Sequence, residues 1–219
     1  MSESAAAPAS PEWRTLVPRF LALTDLSSTV SDALDQLGLA GAVAGTALAP
    51  LAEESRVCGP AVTLRSVADP HVAGAVDDRA VYAAVPAGAV LVMDLGGNHE
   101  AAGLGGIGAT IASGAGAAGF VVDGPVRDAA SLRALGVGVW SRGRTPVSRR
   151  GRASTVEHGG VISVAGVPVH SGDLVVGDST GLCVVPAARA AEVLARCEDI
   201  EAAETRLLGE LGDRAVRDR

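Results

Sequence analysis

Residues 119–131, GFVVDGPVRDAAS, run from a strand through a turn into a helix start. The apolar run that begins at Phe120 is typical of a buried strand, and the Asp-Gly-Pro that follows is typical of a turn. The adjacent opposite charges of Arg127 and Asp128 come one residue after this turn. They are either the charged first turn of a helix or a site in which the arginine holds an anion and the aspartate holds a metal ion.

The segments around this stretch alternate between strands and helices. Strand-length runs rich in Val and Leu occupy 61–67, 89–95, 119–124 and 137–143, with helical segments at 106–119 and 129–136. This alternation predicts parallel βα units. Residues 160–186 contain short strands separated by glycines and no helix, which predicts an antiparallel or barrel-like part.

The two ends of the chain are predicted to be helical, apart from a disordered lead-in over residues 1–12. Residues 14–39 predict two helices, of which the second is capped by Ser28, Thr29 or Ser31 and ended by Gly38. Residues 187–212 predict a long amphipathic helix. We therefore predict one α/β domain over 13–219, with a mixed sheet and a long C-terminal helix.

The charge and the hydropathy pattern exclude several classes of partner. The net charge of −7 and the pI of about 5.1 argue against nucleic acid or an anionic membrane as the main partner. No apolar run reaches the length of a membrane span, and the first residues do not resemble a signal peptide. The three cysteines are scattered without metal-ligand spacing, so we expect a cytoplasmic protein.

Every one of the 18 basic residues is arginine, because the chain contains no lysine. A lysine is required for Schiff-base catalysis and for the anchoring of pyridoxal phosphate. It is also required for the phosphate loop of nucleotide-binding proteins. The sequence therefore excludes these three mechanisms.

Glycines at the start of the helical segment 106–119 form a candidate anion site. In LGGIGA (104–109), the backbone around Gly105, Gly106, Ile107 and Gly108 leads into the helix. Unpaired N–H groups and the helix dipole at such a start attract carboxylate or phosphate. The alternative is a glycine-rich turn needed only for packing.

Polar residues in two other loops are candidates for acid–base chemistry. The loop GGNHEAAG (96–103) follows the strand that ends at Asp94, and it contains His99 and Glu100. Ligands of α/β folds bind at the carboxyl ends of strands, although a solvated loop is the alternative. Asp173 and Asp178 lie in glycine turns, where forming the turn is the default role.

The order and spacing of these motifs resemble the RraA-like family, which contains class II 4-hydroxy-4-methyl-2-oxoglutarate aldolases and the regulator of ribonuclease E activity A. The resemblance extends from residue 29 onward, and GxVVDGxVRD is its most specific motif. It rests on the segments TVSDALDQLG (29–38), VCGPAVTL (57–64), AGAVLVMDLGG (87–97), GFVVDGPVRD (119–128), PVSRRG (146–151) and VPVHSGDLVVGDSTGLCVVP (167–186).

The resemblance implies a fold, an assembly and roles for individual residues. The fold is a swivelling β/β/α domain assembled as a trimer or hexamer, with sites between subunits. By analogy with the aldolases, Asp128 binds Mg²⁺ or Mn²⁺, Arg127 holds the pyruvyl group, and the backbone of Gly105, Gly106, Ile107 and Gly108 receives the substrate carboxylate.

The chain departs from the family pattern at the metal site. Many members carry an acidic residue at the position of Gly106, and others carry one at the position of Ser131 instead. This chain therefore lacks one carboxylate that either version of the pattern supplies. Glu100 is a candidate replacement and catalytic group, as is Glu201 or Glu204 from the C-terminal helix of another subunit.

We predict from the residues and the resemblance together a divalent-metal-dependent lyase. Its substrate is a small 2-oxo acid, which undergoes retro-aldol cleavage or, as with oxaloacetate, decarboxylation. Both reactions pass through a pyruvate enolate, whose charge is stabilised by a metal ion rather than by a lysine imine. The alternative is a non-catalytic RraA-type regulator that acts by binding a partner protein.

Overall fold

The structure, a computed structural model, describes the backbone of residues 13–217 and the side chains of residues 13–211. The predicted disordered lead-in, residues 1–12, lies outside the described residues. The helices are α1 (Trp13–Ala22), α2 (Leu26–Gln36), α3 (Asp78–Ala83), α4 (Gly106–Ala115), α5 (Ala129–Ala134) and α6 (Ala190–Arg217). Within residues 13–217, no helix has the length and apolar character needed to cross a lipid bilayer.

Most of the strands belong to one large sheet. They are β1 (Ala42–Ala44), β2 (Ala49–Pro50), β3 (Val57–Val67), β4 (Val90–Asp94), β5 (Gly119–Val126), β6 (Gly138–Arg144), β7 (Ser154–His158), β8 (Ile162–Val164), β9 (Val167–Val169), β10 (Leu174–Gly177) and β11 (Gly181–Val185). The order in the large sheet is β1-β11-β10-β3-β4-β5-β6-β2, and β7 also pairs with β3. β8 and β9 form a separate hairpin.

The middle of the sheet is parallel, as predicted from the alternation of strands and helices. β3 pairs with β4, β4 with β5 and β5 with β6, all in parallel. Parallel neighbours need crossover connections, and α3, α4 and α5 supply them on one face. The predicted antiparallel part is also confirmed, since β10 pairs with β11 and with the first half of β3 in antiparallel.

β3 belongs to both parts of the sheet and so divides the molecule into layers. Alternate residues of β4 face opposite sides, with Leu91 and Met93 toward α3, α4 and α5 and with Val90 and Val92 toward the antiparallel strands. The far side of the antiparallel strands packs against α1, α2 and α6. Helices therefore cover both outer faces of two packed layers of strands.

The start of α2 differs from the prediction. None of Ser28, Thr29 and Ser31 caps the helix, because α2 begins at Leu26 and the flanking Asp25 makes no side-chain cap bond. The Asp178 carboxylate, 151 positions after Ser27, caps the start of the helix instead. It accepts hydrogen bonds from the Ser27 N–H at 3.0 Å and from the Ser27 hydroxyl at 2.6 Å.

The buried Asp178 carboxylate joins α2 to the turn between β10 and β11. It also accepts a hydrogen bond from the Thr180 N–H at 2.9 Å. Burial by itself raises the pKa of Asp178, but the hydrogen bonds from Ser27 and Thr180 outweigh burial and hold the pKa below its ordinary value. The default prediction of a turn-forming role for this residue therefore describes only part of what it does.

We expect Asp178→Asn to lower the free energy of unfolding by about 1–3 kcal/mol at pH 7, because its amide cannot accept all of these bonds. The folded-state pKa lies below the unfolded one, so the stabilisation is present above the ordinary pKa of 3.8 and disappears as the pH falls through the folded-state pKa. Urea unfolding measures the free energy of unfolding of the parent and of the variant at pH 7 and at pH 3. If the difference in free energy of unfolding between variant and parent is as large at pH 3 as at pH 7, this role of Asp178 is contradicted.

A hairpin occupies the carboxyl ends of the central parallel strands. Asp94 at the end of β4 accepts the Ser163 N–H at 3.3 Å, and Asp123 in β5 accepts the Ala165 N–H at 2.8 Å. Both aspartates thus hold the β8–β9 hairpin in place. Asp94 and Asp123 are therefore engaged within the chain, whereas Arg127 and Asp128 lie beyond the end of β5.

Candidate active site

A cleft of about 300 Å³ lies where the end of β5 meets the start of α4 and one side of α3. The chain before α4 runs beside the end of β5, because Arg127 donates its N–H to the Leu104 carbonyl at 3.0 Å. The charged side chains that line the cleft are Asp78, Arg79, Arg127, Asp128, Arg149 and Arg150. The Arg-Asp pair identified from the sequence therefore lies in a concave site.

The backbone turns sharply at Asp128, which has a φ of 57° and a ψ of 45°. This left-handed conformation is uncommon outside glycine, although aspartate and asparagine tolerate it best. The turn directs the Asp128 carboxylate toward α4, where Oδ2 accepts the Gly106 N–H at 3.0 Å. The same oxygen lies 3.4 Å from Nε of Arg127, so the two charged groups stay together at the helix start.

Gly105 makes this close approach possible. A Cβ atom at Gly105 would lie 2.9 Å from both Cγ of Arg127 and Oδ2 of Asp128. The first N–H of α4 in the regular helical pattern is that of Ala109, which donates to the carbonyl of the flanking Gly105 at 3.1 Å. The N–H groups of Ile107 and Gly108 have no hydrogen-bond partner among the described residues and remain available to an anion.

The wall of the cleft beside α3 contains residues that the sequence reasoning missed. Arg149 donates to Asp78 Oδ2 at 2.9 Å, to Ser66 Oγ at 3.1 Å and to Thr155 Oγ1 at 2.9 Å. Burial and the nearby Asp78 charge raise the pKa of Tyr82 above its usual range, so its hydroxyl stays protonated. The sequence does contain a signal for α3, because Asp77 is a residue type that caps helices. Its carboxylate accepts the Arg79 N–H at 3.0 Å.

The remaining oxygen of Asp78 and two arginines on this wall are unpaired among the described residues. Asp78 Oδ1 is buried and has no hydrogen-bond partner there. The guanidinium groups of Arg79 and Arg150 make no hydrogen bond or ion pair within residues 13–211. Four guanidinium groups and two carboxylates thus line the cleft, which leaves an excess of two positive charges.

The two positions at which the family pattern places its second acid lie side by side. A Cβ atom at Gly106 would lie 3.1 Å from Cβ of Ser131 and 3.5 Å from Cβ of Asp128. An acidic side chain at either position would therefore reach the same region beside Asp128. In this chain neither Gly106 nor Ser131 supplies a carboxylate there.

The described residues fit a divalent ion only in part. Asp128 is a suitable single ligand, since Mg²⁺ often binds one or two carboxylates and keeps several waters. No group of three or more His, Cys, Asp or Glu side chains that could hold a metal ion exists within the described part of the chain. The described side chains therefore do not form a complete metal site by themselves.

The other predicted site residues lie elsewhere. Glu100 is exposed in the loop after β4 and is absent from the cleft lining, so its catalytic role stays a prediction. Glu201 is occupied within its own chain, because its Oε1 accepts the Thr24 N–H at 2.7 Å. Glu204 is exposed and makes no hydrogen bond or ion pair among the described residues.

The cysteines do not contribute a nucleophile to the site. All three are free and buried, and they lie in the core beside α2 and α6. Burial raises the pKa of each thiol, those of Cys58, Cys183 and Cys197, to about 12. A thiolate is therefore scarce at neutral pH.

The fold and the cleft define an α/β protein in which an arginine-lined site lies at a glycine-rich helix start. The sequence profile of the RraA-like family, described as Aldolase/RraA, matches residues 27–184. The chain belongs to the RraA-like family. The predicted swivelling β/β/α fold is confirmed by similarity to solved structures of this family.

Individual relatives are similar over most of the chain. A protein of Halalkalibacterium halodurans, provisionally named 4-hydroxy-4-methyl-2-oxoglutarate aldolase, is 33% identical over 88% of this chain and 85% of its own length. Streptomyces coelicolor RraAS2, described as an unusual member of the RNase ES inhibitor RraA family, has a TM-score of 0.74 and 30% identity, over 87% of this chain and 94% of its own. An uncharacterised Pseudomonas syringae protein has a TM-score of 0.80 and 28% identity, over 94% of this chain and 95% of its own.

Proposed function

We propose that this protein is a divalent-metal-dependent lyase of a small 2-oxo acid. The reaction is retro-aldol cleavage of 4-hydroxy-4-methyl-2-oxoglutarate or a similar compound, or decarboxylation of oxaloacetate. The observation that carries the proposal is the convergence of Arg127, Asp128 and the start of α4 in one cleft. An aldolase name on a relative that is 33% identical supports the same reaction class.

In this proposal, different groups around the cleft bind different parts of the substrate. The N–H groups of Ile107 and Gly108 bind the carboxylate next to the 2-oxo group, at the positive end of α4. The guanidinium of Arg127 offers two parallel donors to the planar 2-oxo acid. Because the enolate gains negative charge as the bond breaks, Arg127 stabilises the transition state more than the ground state.

Asp128 is the residue that we propose for holding Mg²⁺ or Mn²⁺ in the assembled site. When bound, such an ion supplies Lewis acidity to the 2-oxo group, a role for which this chain has no lysine. Retro-aldol cleavage also needs a base to take the proton of the 4-hydroxyl group. Glu100, or Glu204 from a neighbouring subunit, is the proposed base. Glu204 makes no hydrogen bond or ion pair among the described residues, which favours it.

Pyruvate release tests the proposed reaction. Oxaloacetate and a set of 4-hydroxy-2-oxo acids are supplied in turn with Mg²⁺, with Mn²⁺ or with excess chelator. We expect metal-dependent release from at least one acid. Release that is unaffected by the chelator, or no release from any acid, contradicts the proposal.

A second candidate is a non-catalytic regulator that binds a partner protein. The specific observation that favours it is that neither Gly106 nor Ser131 supplies a carboxylate next to Asp128. The structural similarity to RraAS2 also supports it. The two candidates differ in what substitutions at the cleft do. A regulator retains its partner binding when Arg127 and Asp128 are changed, whereas a lyase loses turnover.

We also propose that the protein is a homotrimer or hexamer. Leu207, Leu208 and Leu211 near the end of α6 are 55%, 68% and 49% exposed, and Ile107 at the rim of the cleft is 64% exposed. Exposed leucines on one helical segment are typical of a surface that is buried between subunits. The acidic residue Glu204 lies one turn before these leucines.

We expect light scattering at micromolar concentration to give the mass of three or six chains. Replacing Leu207, Leu208 and Leu211 together by Gln should lower the mass toward that of one chain, because it removes apolar area from the proposed interface. The matched control is Val161→Gln, which changes another exposed apolar residue, away from α6. A monomeric parent protein contradicts the proposal.

A further inference from the structure

Tyr82 is the only tyrosine of the chain, and it lines the cleft. The residue is only 5% exposed. Its ring packs against the start of α4, because a Cβ atom at Gly108 would lie 2.8 Å from Cε2 and 3.3 Å from Cδ2 of Tyr82. The hydroxyl group is attached to the ring carbon next to Cε2, so it lies near the helix start that offers the N–H groups of Ile107 and Gly108.

The hydroxyl proton of Tyr82 has no acceptor among the described residues. Arg149 forms a hydrogen bond with the hydroxyl, and it does so as the donor, because a guanidinium group has no acceptor. Asp78 lies one turn before Tyr82 on α3, but its Oδ2 accepts Arg149 and its buried Oδ1 has no partner. A largely buried donor without an acceptor is costly, unless a ligand supplies that acceptor.

We propose that Tyr82 is a substrate-binding residue whose hydroxyl donates a hydrogen bond to the carboxylate held at the start of α4. This inference rests on the proposed function, in which the N–H groups of Ile107 and Gly108 bind that carboxylate. A carboxylate has about four acceptor sites, so two N–H groups leave room for a third donor. The substrate thus supplies the acceptor that the described part of the chain does not.

Tyr82→Phe tests the proposal, because it keeps the ring that packs on Gly108 and removes only the hydroxyl. The probe is oxalate, an unreactive dianion with two adjacent carboxylates, titrated by calorimetry with Mg²⁺ present. We expect the variant to bind oxalate about ten- to a hundredfold more weakly than the parent, since a hydrogen bond to a charged group is lost. With a 2-oxo acid, KM should rise while kcat changes little, because the carboxylate carries the same charge before and during the reaction.

Thermal unfolding separates this role from a purely structural one. Removing a donor that has no acceptor in the unbound protein should leave the unfolding temperature unchanged or slightly higher. A structural hydroxyl, for example one that donates to Asp78, would instead give a Tyr82→Phe variant that unfolds at a lower temperature and binds oxalate like the parent. The matched control is Ser113→Ala, which removes another buried hydroxyl without a partner, on α4 but outside the cleft lining, and should bind oxalate like the parent.

The single tyrosine also gives a direct spectroscopic signal. Labelling tyrosine with ¹³C at Cζ produces one nuclear magnetic resonance signal, which belongs to Tyr82 because the chain has no other tyrosine. We expect oxalate with Mg²⁺ to shift this signal, because the hydroxyl gains an acceptor. The shift should saturate at the same oxalate concentration as the calorimetric titration of the parent.

Two results would overturn the proposal. One is oxalate binding that is equally tight in the parent and in Tyr82→Phe, and the other is no oxalate binding to the parent. Pyruvate release by the parent distinguishes a failure of this inference from a failure of the proposed function. Metal-dependent release together with equal oxalate binding overturns this inference alone, whereas no release from any acid overturns the proposed function.

Discussion

Asp128→Asn is expected to lower the turnover of a 2-oxo acid by about 100-fold or more, with an unchanged fold. The substitution removes the negative charge that we propose for holding the metal ion. It retains an oxygen that can accept the Gly106 N–H, which Asp128 Oδ2 accepts at 3.0 Å. Asparagine also tolerates the left-handed conformation at this position, where φ is 57°.

Asparagine is a sharper probe here than alanine, which would add backbone strain of about 1–2 kcal/mol at the same φ. Pyruvate release measures turnover, and thermal unfolding checks that the variant is as stable as the parent. Asp123→Asn is a control that changes a carboxylate holding the β8–β9 hairpin rather than one in the cleft. Full activity in Asp128→Asn would show that its charge has no part in catalysis.

Arg127→Lys is expected to be nearly as damaging as Arg127→Ala, although it keeps the positive charge. The guanidinium offers two parallel donors to a planar carboxylate, whereas an ammonium group is a single point charge on a flexible stem. Loss of a bidentate charged contact costs about 1.5–3 kcal/mol, or roughly ten- to more than a hundredfold in binding or turnover. The unfolding temperature should change little, since the ion pair that Arg127 makes with Asp128 is partly exposed and such pairs contribute little to stability.

Calorimetric titration of oxalate in the presence of Mn²⁺ measures this contact directly. The matched control is Arg144→Lys, which changes an exposed arginine outside the cleft and should bind oxalate like the parent. If Arg127 is only the charged end of a turn, then both Arg127 variants should also bind like the parent. That outcome would remove Arg127 from the site.

The Arg-Asp pair could be predicted because its signal is local. A strand and two charged residues lie within 119–128, and the glycine-rich start of α4 is another local pattern. The turn predicted at Asp-Gly-Pro was wrong, because β5 continues through these residues to Val126 with only a register irregularity. Their meeting in one cleft follows from the parallel arrangement of β4 and β5, which the alternation of strands and helices predicts. The second wall could not be found in this way, because the Asp78–Arg149 pair joins residues 71 positions apart.

The sequence by itself determined the parallel centre of the sheet, the antiparallel part after residue 160, the long C-terminal helix and the exclusion of lysine chemistry. Periodicity and turn composition determine such features, since they act between residues that are close along the chain. Only the tertiary structure decided that Asp178 holds the start of α2, across 151 positions, and that Gly106 and Ser131 are neighbours. It also decided that the cleft has an excess of positive charge, because side chains distant in the sequence approach each other only when the sheet and its helices pack together.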